Sequence, residues 1–191
     1  MNLALPSITH KFIRVEIRAE IKDNAGKVTY SSPWSECHSL VKNFLKVLSA
    51  SMLQTAITIK DTGNTDRATS GYSGNLSVVA AAGLTVNGIV IGTGTDAVTM
   101  DDYKLQTQAT VNIAYALLAL TLEAPDANSY RLNVSRMFTN NTGAVLNITE
   151  VGLYCIAGNA GIYFCIDRTL YSVAVAAGSS VTLTYRFTIS L

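Results

Sequence analysis

The chain is short of charge. Of its 191 residues, 14% are Asp, Glu, Lys or Arg, 49% are hydrophobic, and the formal net charge is +1. A typical soluble domain carries about 25% charged residues. With so little net charge and no basic patch, binding to duplex nucleic acid is excluded. No apolar run is long enough for a membrane-spanning helix, so no membrane partner is expected. The apolar content in turn excludes a disordered chain. Cysteine is scarce: Cys37, Cys155 and Cys165 are an odd number with no CxxC spacing, which indicates neither a disulfide framework nor a zinc site. Histidine is limited to His10 and His38, and tryptophan to Trp34. The start, Met1 to Pro6, has no basic stretch before its short apolar run, so no secretory signal is expected, and the expected location is the cytoplasm or a particle assembled in it.

What is present is β pattern. In residues 12–22, Ile13, Val15, Ile17, Ala19 and Ile21 alternate with Arg14, Glu16, Arg18, Glu20 and Lys22, the period of a strand with one buried face. The turn Asp23-Asn24-Ala25-Gly26 then predicts a hairpin returning over 27–31. Further β-like segments are 76–80, 84–92, 109–122, 130–139, 144–156, 162–170 and 180–191. The last alternates strictly, with Val181, Leu183, Tyr185, Phe187 and Ile189 on one side. Residues 113–122 are apolar on both parities and are read as a strand, either buried on both faces or lying at a subunit interface, with a short helix as the alternative. Short strands with regular turn punctuation predict a single domain over 1–191: an antiparallel β-sandwich of jelly-roll or related topology.

Residues 36–53 change period. Leu40, Val41, Phe44, Leu45, Leu48 and Met52 recur at helical spacing, which predicts an amphipathic helix capped by Ser32 or Ser35 with Glu36 in its first turn. Residues 61–75 are polar and glycine-rich, and read as a loop and candidate contact arm. Residues 1–11 show no strong strand pattern and are expected to form an N-terminal arm packed against neighbouring chains.

Candidate chemistry is sparse. Cys37 adjoins His38, but successive helical residues point about 100° apart and do not meet as nucleophile and base. Gly92-Thr93-Gly94-Thr95 lacks the lysine of a phosphate loop, and Ala97 stands where GxGxxG needs its third glycine. It reads as a strand ending in a tight turn. Asp96, Asp101 and Asp102, and Asp61-x-Gly63-Asn64-x-Asp66, do not match a calcium loop. Glu123, Asp126, Glu150 and Asp167 lie near segment ends, and nothing selects a pair for glycoside hydrolysis. Cys155 and Cys165 face each other if their hairpin centres on Ala160. Two small buried side chains are then expected, a disulfide being the alternative. Tyr72 and Tyr103 are candidate exposed aromatics for stacking on sugars or anchoring a partner.

Three motifs carry a resemblance. Residues 88–105 read I-G-T-G-T … D-D-Y-x-L, residues 136–154 read F-T-N-N-T-G-A … I-T-E-V-G-L-Y, and residues 168–185 read R-x-L … V-x-x-G-x-x-x-T-x-x-Y. Together with Ser39–Leu45 they resemble a group of small β-rich structural proteins of tailed bacteriophages. The resemblance covers roughly residues 35–55 and 85–191. It implies a virion component and brings no catalytic residues with it.

The resulting expectation is a non-enzymatic virion structural protein, a capsid decoration protein or a tail, neck or fibre component, assembled in the host cytoplasm. Its expected partners are other virion subunits and further copies of itself in a trimer or ring. No catalytic, cofactor or metal residue is assigned. The alternatives are a carbohydrate-binding module of a receptor-binding appendage and a β-sandwich hydrolase.

Overall fold

The alternating stretches near the two ends of the chain pair with each other. In the computed structural model, which describes residues 13–37, 40–69, 75–158 and 161–190, β1 (Arg14–Lys22) runs antiparallel to the last strand (Ser180–Ser190) from Arg14↔Thr188 to Lys22↔Ser180. The expected arm 1–11, both histidines, Tyr72 and the middle of the 159–160 turn lie outside the described residues.

Between these strands come β2 (Val28–Ser31), β3 (Ser35–Glu36), α1 (Lys42–Leu53), β4 (Ile57–Lys60), β5 (Asp66–Thr69) and β6 (Gly88–Gly92). The chain continues through β7 (Ile113–Tyr115), β8 (Ala119–Asp126), β9 (Ser129–Asn140), β10 (Leu146–Ile156) and β11 (Tyr163–Val175) to β12 (Ser180–Ser190). The described residues are mainly β, antiparallel, with one helix. The larger sheet runs β2-β1-β12-β9-β7, with β3 also on β1 and β8 also on β9. The smaller sheet is β11-β10-β6, and β4 and β5 form a separate hairpin. One continuous core joins Ile17, Val134, Leu183 and Tyr185 of the large sheet to Ile89, Ile91, Ile148 and Leu153 of the small one.

Strand β10 does not alternate. Glu150 to Cys155 are all buried, because residues 93–108 fold back over the face of the small sheet that points away from the large one. A second anchor lies inside the large sheet. Arg136 on β9 is 1% exposed and donates to five backbone oxygens, those of Ala116, Asn87, Ile89, Ala81 and Leu84. Carbonyls from the segment before β6, from β6 itself and from the β7–β8 connection are thereby satisfied by one guanidinium, as buried polar groups require.

Three local expectations are corrected. The helix begins at Lys42, not at residue 36. Ser35 and Glu36 pair with Ile17 and Glu16 as an edge strand, Val41 is the N-cap without a side-chain cap bond, and no acid sits in the first turn. Its buried face is Asn43, Val47 and Ala50, while Leu45 and Met52 point to solvent. The stretch 61–75 is not wholly loop, since its residues 66–69 are β5, and Asp61 closes the β4–β5 turn by accepting from Thr65 N (2.8 Å) and Arg67 Nε (2.8 Å). The apolar run 113–122 is strand but split into β7 and β8, and it is not buried on both faces, since all eight residues of β8 are exposed.

Candidate functional site

The residues of the three sequence motifs converge on one buried ionic clasp. Glu150 of β10 has no exposed surface. Its Oε1 accepts from Gly94 N (3.0 Å) and Thr107 N (2.7 Å), and its Oε2 from Gln106 N (3.0 Å) and Arg168 Nε (2.8 Å). Arg168, on neighbouring β11, donates further to Asp102 Oδ2 (2.8 Å) and Asp96 O (3.0 Å). Burial opposes its charge, but the bonds to Asp102 and Glu150 outweigh that and raise its pKa. Asp102 also accepts from the backbone and hydroxyl of Thr99. The Tyr154 hydroxyl accepts from Leu105 N (2.5 Å). The glycines of the motif are there for room: a Cβ on Gly92 or Gly94 would stand 2.6 or 2.5 Å from Glu150 Oε1. A cavity of about 460 Å³ lies beside the clasp, lined by Arg168, Asp102 and Gln106 among others. The clasp's polar atoms are committed to one another and to backbone, which is the arrangement of a fold-determining network.

A second polar chamber lies in the core. Asp167 is fully buried; its Oδ1 accepts from the Tyr185 hydroxyl (2.8 Å) and the Thr169 hydroxyl (2.9 Å), and its Oδ2 has no partner among the described residues. Desolvation pushes its pKa up to about 6 against the pull of those two donors. Cys37 sits near it, and burial, reinforced by the Asp167 charge, pushes its thiol far up. A thiol so placed is the reverse of an activated nucleophile.

At one end the sandwich is open. The small sheet is too narrow to cover the inner face of the large one, and an apolar mouth of about 340 Å³ remains between them. Ile13, Leu122, Tyr130 and Ile189 form its exposed rim, with Leu132 and Phe187 deeper, and among the described residues no charged one lines it. Strand β8 borders this mouth, and among the described residues its outer edge has no partner strand.

The outer face of the large sheet is polar, as the alternation of β1 and β12 requires. Register places Arg18, Thr184 and Ser135 in one cross-strand row and Glu16, Arg186, Asn133 and Thr121 in the next. Trp34 lies across these rows, with the Arg186 guanidinium 3.6 Å from its ring centre and that of Arg18 at 5.8 Å. Between them is a shallow saddle of about 350 Å³.

The expected candidates are scattered by the fold. Glu123 borders the saddle, Asp126 closes a turn by accepting from Asn128 N and the Ser129 hydroxyl, and Glu150 and Asp167 belong to the clasp and the chamber. Asp96 and Asp102 are held in the clasp loop, and Asp101 pairs with Lys42. Among the described residues no three His, Cys, Asp or Glu side chains are grouped to hold a metal. Tyr103 stacks against Lys60 and Lys104. Cys155 opposes Phe164, and Cys165 opposes Tyr154, because the hairpin centres half a residue before Ala160. The two thiols therefore fall on opposite faces and remain free, Cys155 with its pKa pushed up to about 12 by burial. The mouth and the saddle were not found from sequence. The apolar parity break at 113–122 was the signal for the first; nothing local signals the second. Comparison with protein-family models, curated proteins and solved structures finds no match for this chain.

Proposed function

We propose that this chain is a non-enzymatic structural subunit of a tailed-phage particle, a capsid decoration protein or a tail, neck or fibre component, working by protein–protein contact. The observation that carries the reading is the mouth, lined among the described residues by apolar side chains alone and bordered by the exposed edge strand β8, where Leu122 is 61% and Ile189 53% exposed. An apolar surface of this kind gains from exclusion of water, and an open strand edge is a template for pairing with another chain. A second copy of the chain covers it when a different surface of that copy docks into the mouth, and such head-to-tail contacts close as a trimer or ring in which every mouth is filled. The motif resemblance supplies the phage context. Its location is then the virion, assembled in the host cytoplasm.

Light scattering coupled to size-exclusion chromatography tests the reading. The full chain is expected to elute as an oligomer, and Leu122→Glu as a monomer of unchanged secondary structure. Leu122 is exposed, so the substitution is expected to change monomer stability by less than about 0.5 kcal/mol. A wild-type chain that stays monomeric and does not rebind particles stripped of it would overturn the proposal.

A further inference from the structure

The saddle on the outer face of the large sheet has the chemistry of a ligand site, and it is independent of the particle assignment. Its floor is made of side chains from β8, β9 and β12, among them Thr121, Asn133 and Thr182. Glu20 and Glu123 stand as acceptors at opposite rims, and Arg18 and Arg186 as donors. The volume falls at the lower end of small-molecule sites. Acceptors, donors and hydroxyls alternating across one sheet face suit a ligand whose neighbouring hydroxyls each donate and accept. Trp34 adds a rigid apolar wall of the kind that packs on the C–H face of a sugar ring.

The charge balance narrows the ligand further. Arg186 donates only to Asn133 Oδ1 (3.3 Å) and stacks on Trp34, and no described carboxylate pairs with it. Burial, and then the like charge of Arg131, lower its pKa against the opposing pull of Glu16 and Glu123; Arg18 adds to the repulsion. Arg131, beside it on the same face, keeps a buried Nε with no acceptor. Glu16 and Glu123 stand across the strands from Arg186 and Arg131, but among the described residues neither guanidinium has a carboxylate at ion-pairing distance, and a planar carboxylate is the group that a guanidinium fork matches. We propose that this saddle binds a carboxylate-bearing sugar, with the ring against Trp34, the acid at Arg186, and the hydroxyls shared among Asn133, Thr182 and the two glutamates.

Trp34 is the single tryptophan of the chain, so its fluorescence reports on the site directly. Titration of the full chain with methyl glucuronide is expected to give a saturable emission change, with calorimetry returning the same affinity. The neutral methyl glucoside, and Arg186→Gln titrated with the glucuronide, are expected to bind about ten- to a hundredfold more weakly, the loss of a charged hydrogen-bonded pair. Thr121→Trp fills the saddle from an exposed strand and leaves Arg186 in place; it is expected to abolish binding, while Arg67→Gln in the distant β4–β5 hairpin leaves it unchanged. The proposal is overturned if glucoside binds as well as glucuronide, if acetate alone binds as tightly, or if a folded Arg186→Gln or Thr121→Trp retains wild-type affinity. It is equally overturned if neither fluorescence nor calorimetry responds up to about 10 mM glucuronide, beyond the weak limit of specific binding.

Discussion

Glu150 and Asp167 are both acids with no exposed surface, on adjacent strands of one three-stranded sheet. The number of donors each one faces differs. Glu150 meets three backbone N–H groups and a guanidinium, which satisfy both oxygens. Asp167 meets two hydroxyls on one oxygen and, among the described residues, nothing on the other. A buried carboxylate is tolerable only when its lost hydration is replaced. The clasp replaces it and thereby fixes the long segment 93–108 onto the sheet. The chamber replaces half of it, and Asp167 holds its proton more tightly as a result. Burial by itself therefore says little about what a carboxylate does in this fold; the donors around it decide.

The largest effect is expected on the saturated side. Glu150→Gln keeps the shape but turns an amide N–H₂ toward groups that are all donors, and it leaves Arg168 short of a counter-ion. Breaking a buried pair in this way costs about 3–5 kcal/mol, read as a fall in the urea midpoint. Loss of protection from hydrogen exchange is expected across residues 93–108. A variant as stable as wild type would show that the clasp is ornamental and the comparison mistaken.

The next effect belongs to the unsaturated side and is a pH dependence. Asp167 has a folded pKa of about 6 against an ordinary 3.8. The folded chain thus binds this proton better than the unfolded chain. The stabilisation is fully present below about pH 4 and is lost as pH rises through 6. The difference amounts to about 3 kcal/mol. Other acids titrate over the same range, so the quantity to measure is wild-type stability minus that of Asp167→Asn at each pH. That difference is expected to fall from pH 4 to 7.5. A flat or rising difference would place a donor or a cation on the free Oδ2.

Much of the frame is written locally. The stretches 14–22 and 180–190 alternate because each has one wet face, and they pair in the register that alternation demands. The helix start is misread because Ser35 and Glu36 carry capping chemistry but are drawn onto the edge of β1, where Glu36 meets Arg14. Strand β10 hides its period because a distant loop buries its second face. The clasp was legible only as a motif. Its glycines look like turn residues until Glu150, more than fifty positions on, is seen pressed against them. The saddle was not legible at all, since Trp34 and Arg186 meet only once β1 and β12 are side by side.

A smaller effect tests how tightly the clasp is packed. Gly94→Ala places a methyl 2.5 Å from Glu150 Oε1 and 2.6 Å from Gln106 Cβ. The loop must shift and lengthen the Gly94 bond to Glu150, at about 1–3 kcal/mol, the usual penalty of overpacking. Gly143, with open space around its Cβ position but a positive φ of 79°, is the contrasting site. There alanine is expected to cost only the strain of a left-handed backbone, about 1–2 kcal/mol, with no loss of exchange protection over residues 93–108. If both variants loosen that segment equally, the close approach at Gly94 is not what orders it.

The finest test changes the donor count at Asp167 by one. Thr169→Val removes one of its two hydroxyl donors and leaves Tyr185 in place. Those donors favour the charged carboxylate, so losing one disfavours it further. The folded pKa is then expected to rise above 6, moving the midpoint of the pH profile upward. Stability at pH 7.5 should drop by about 1 kcal/mol, the size of one such bond, with little change at pH 4, where the acid is protonated in both variants. The opposite pattern, a loss at pH 4 with the midpoint unmoved, would mean that Thr169 acts through packing. In that case the donor count would no longer explain why two equally buried acids behave differently.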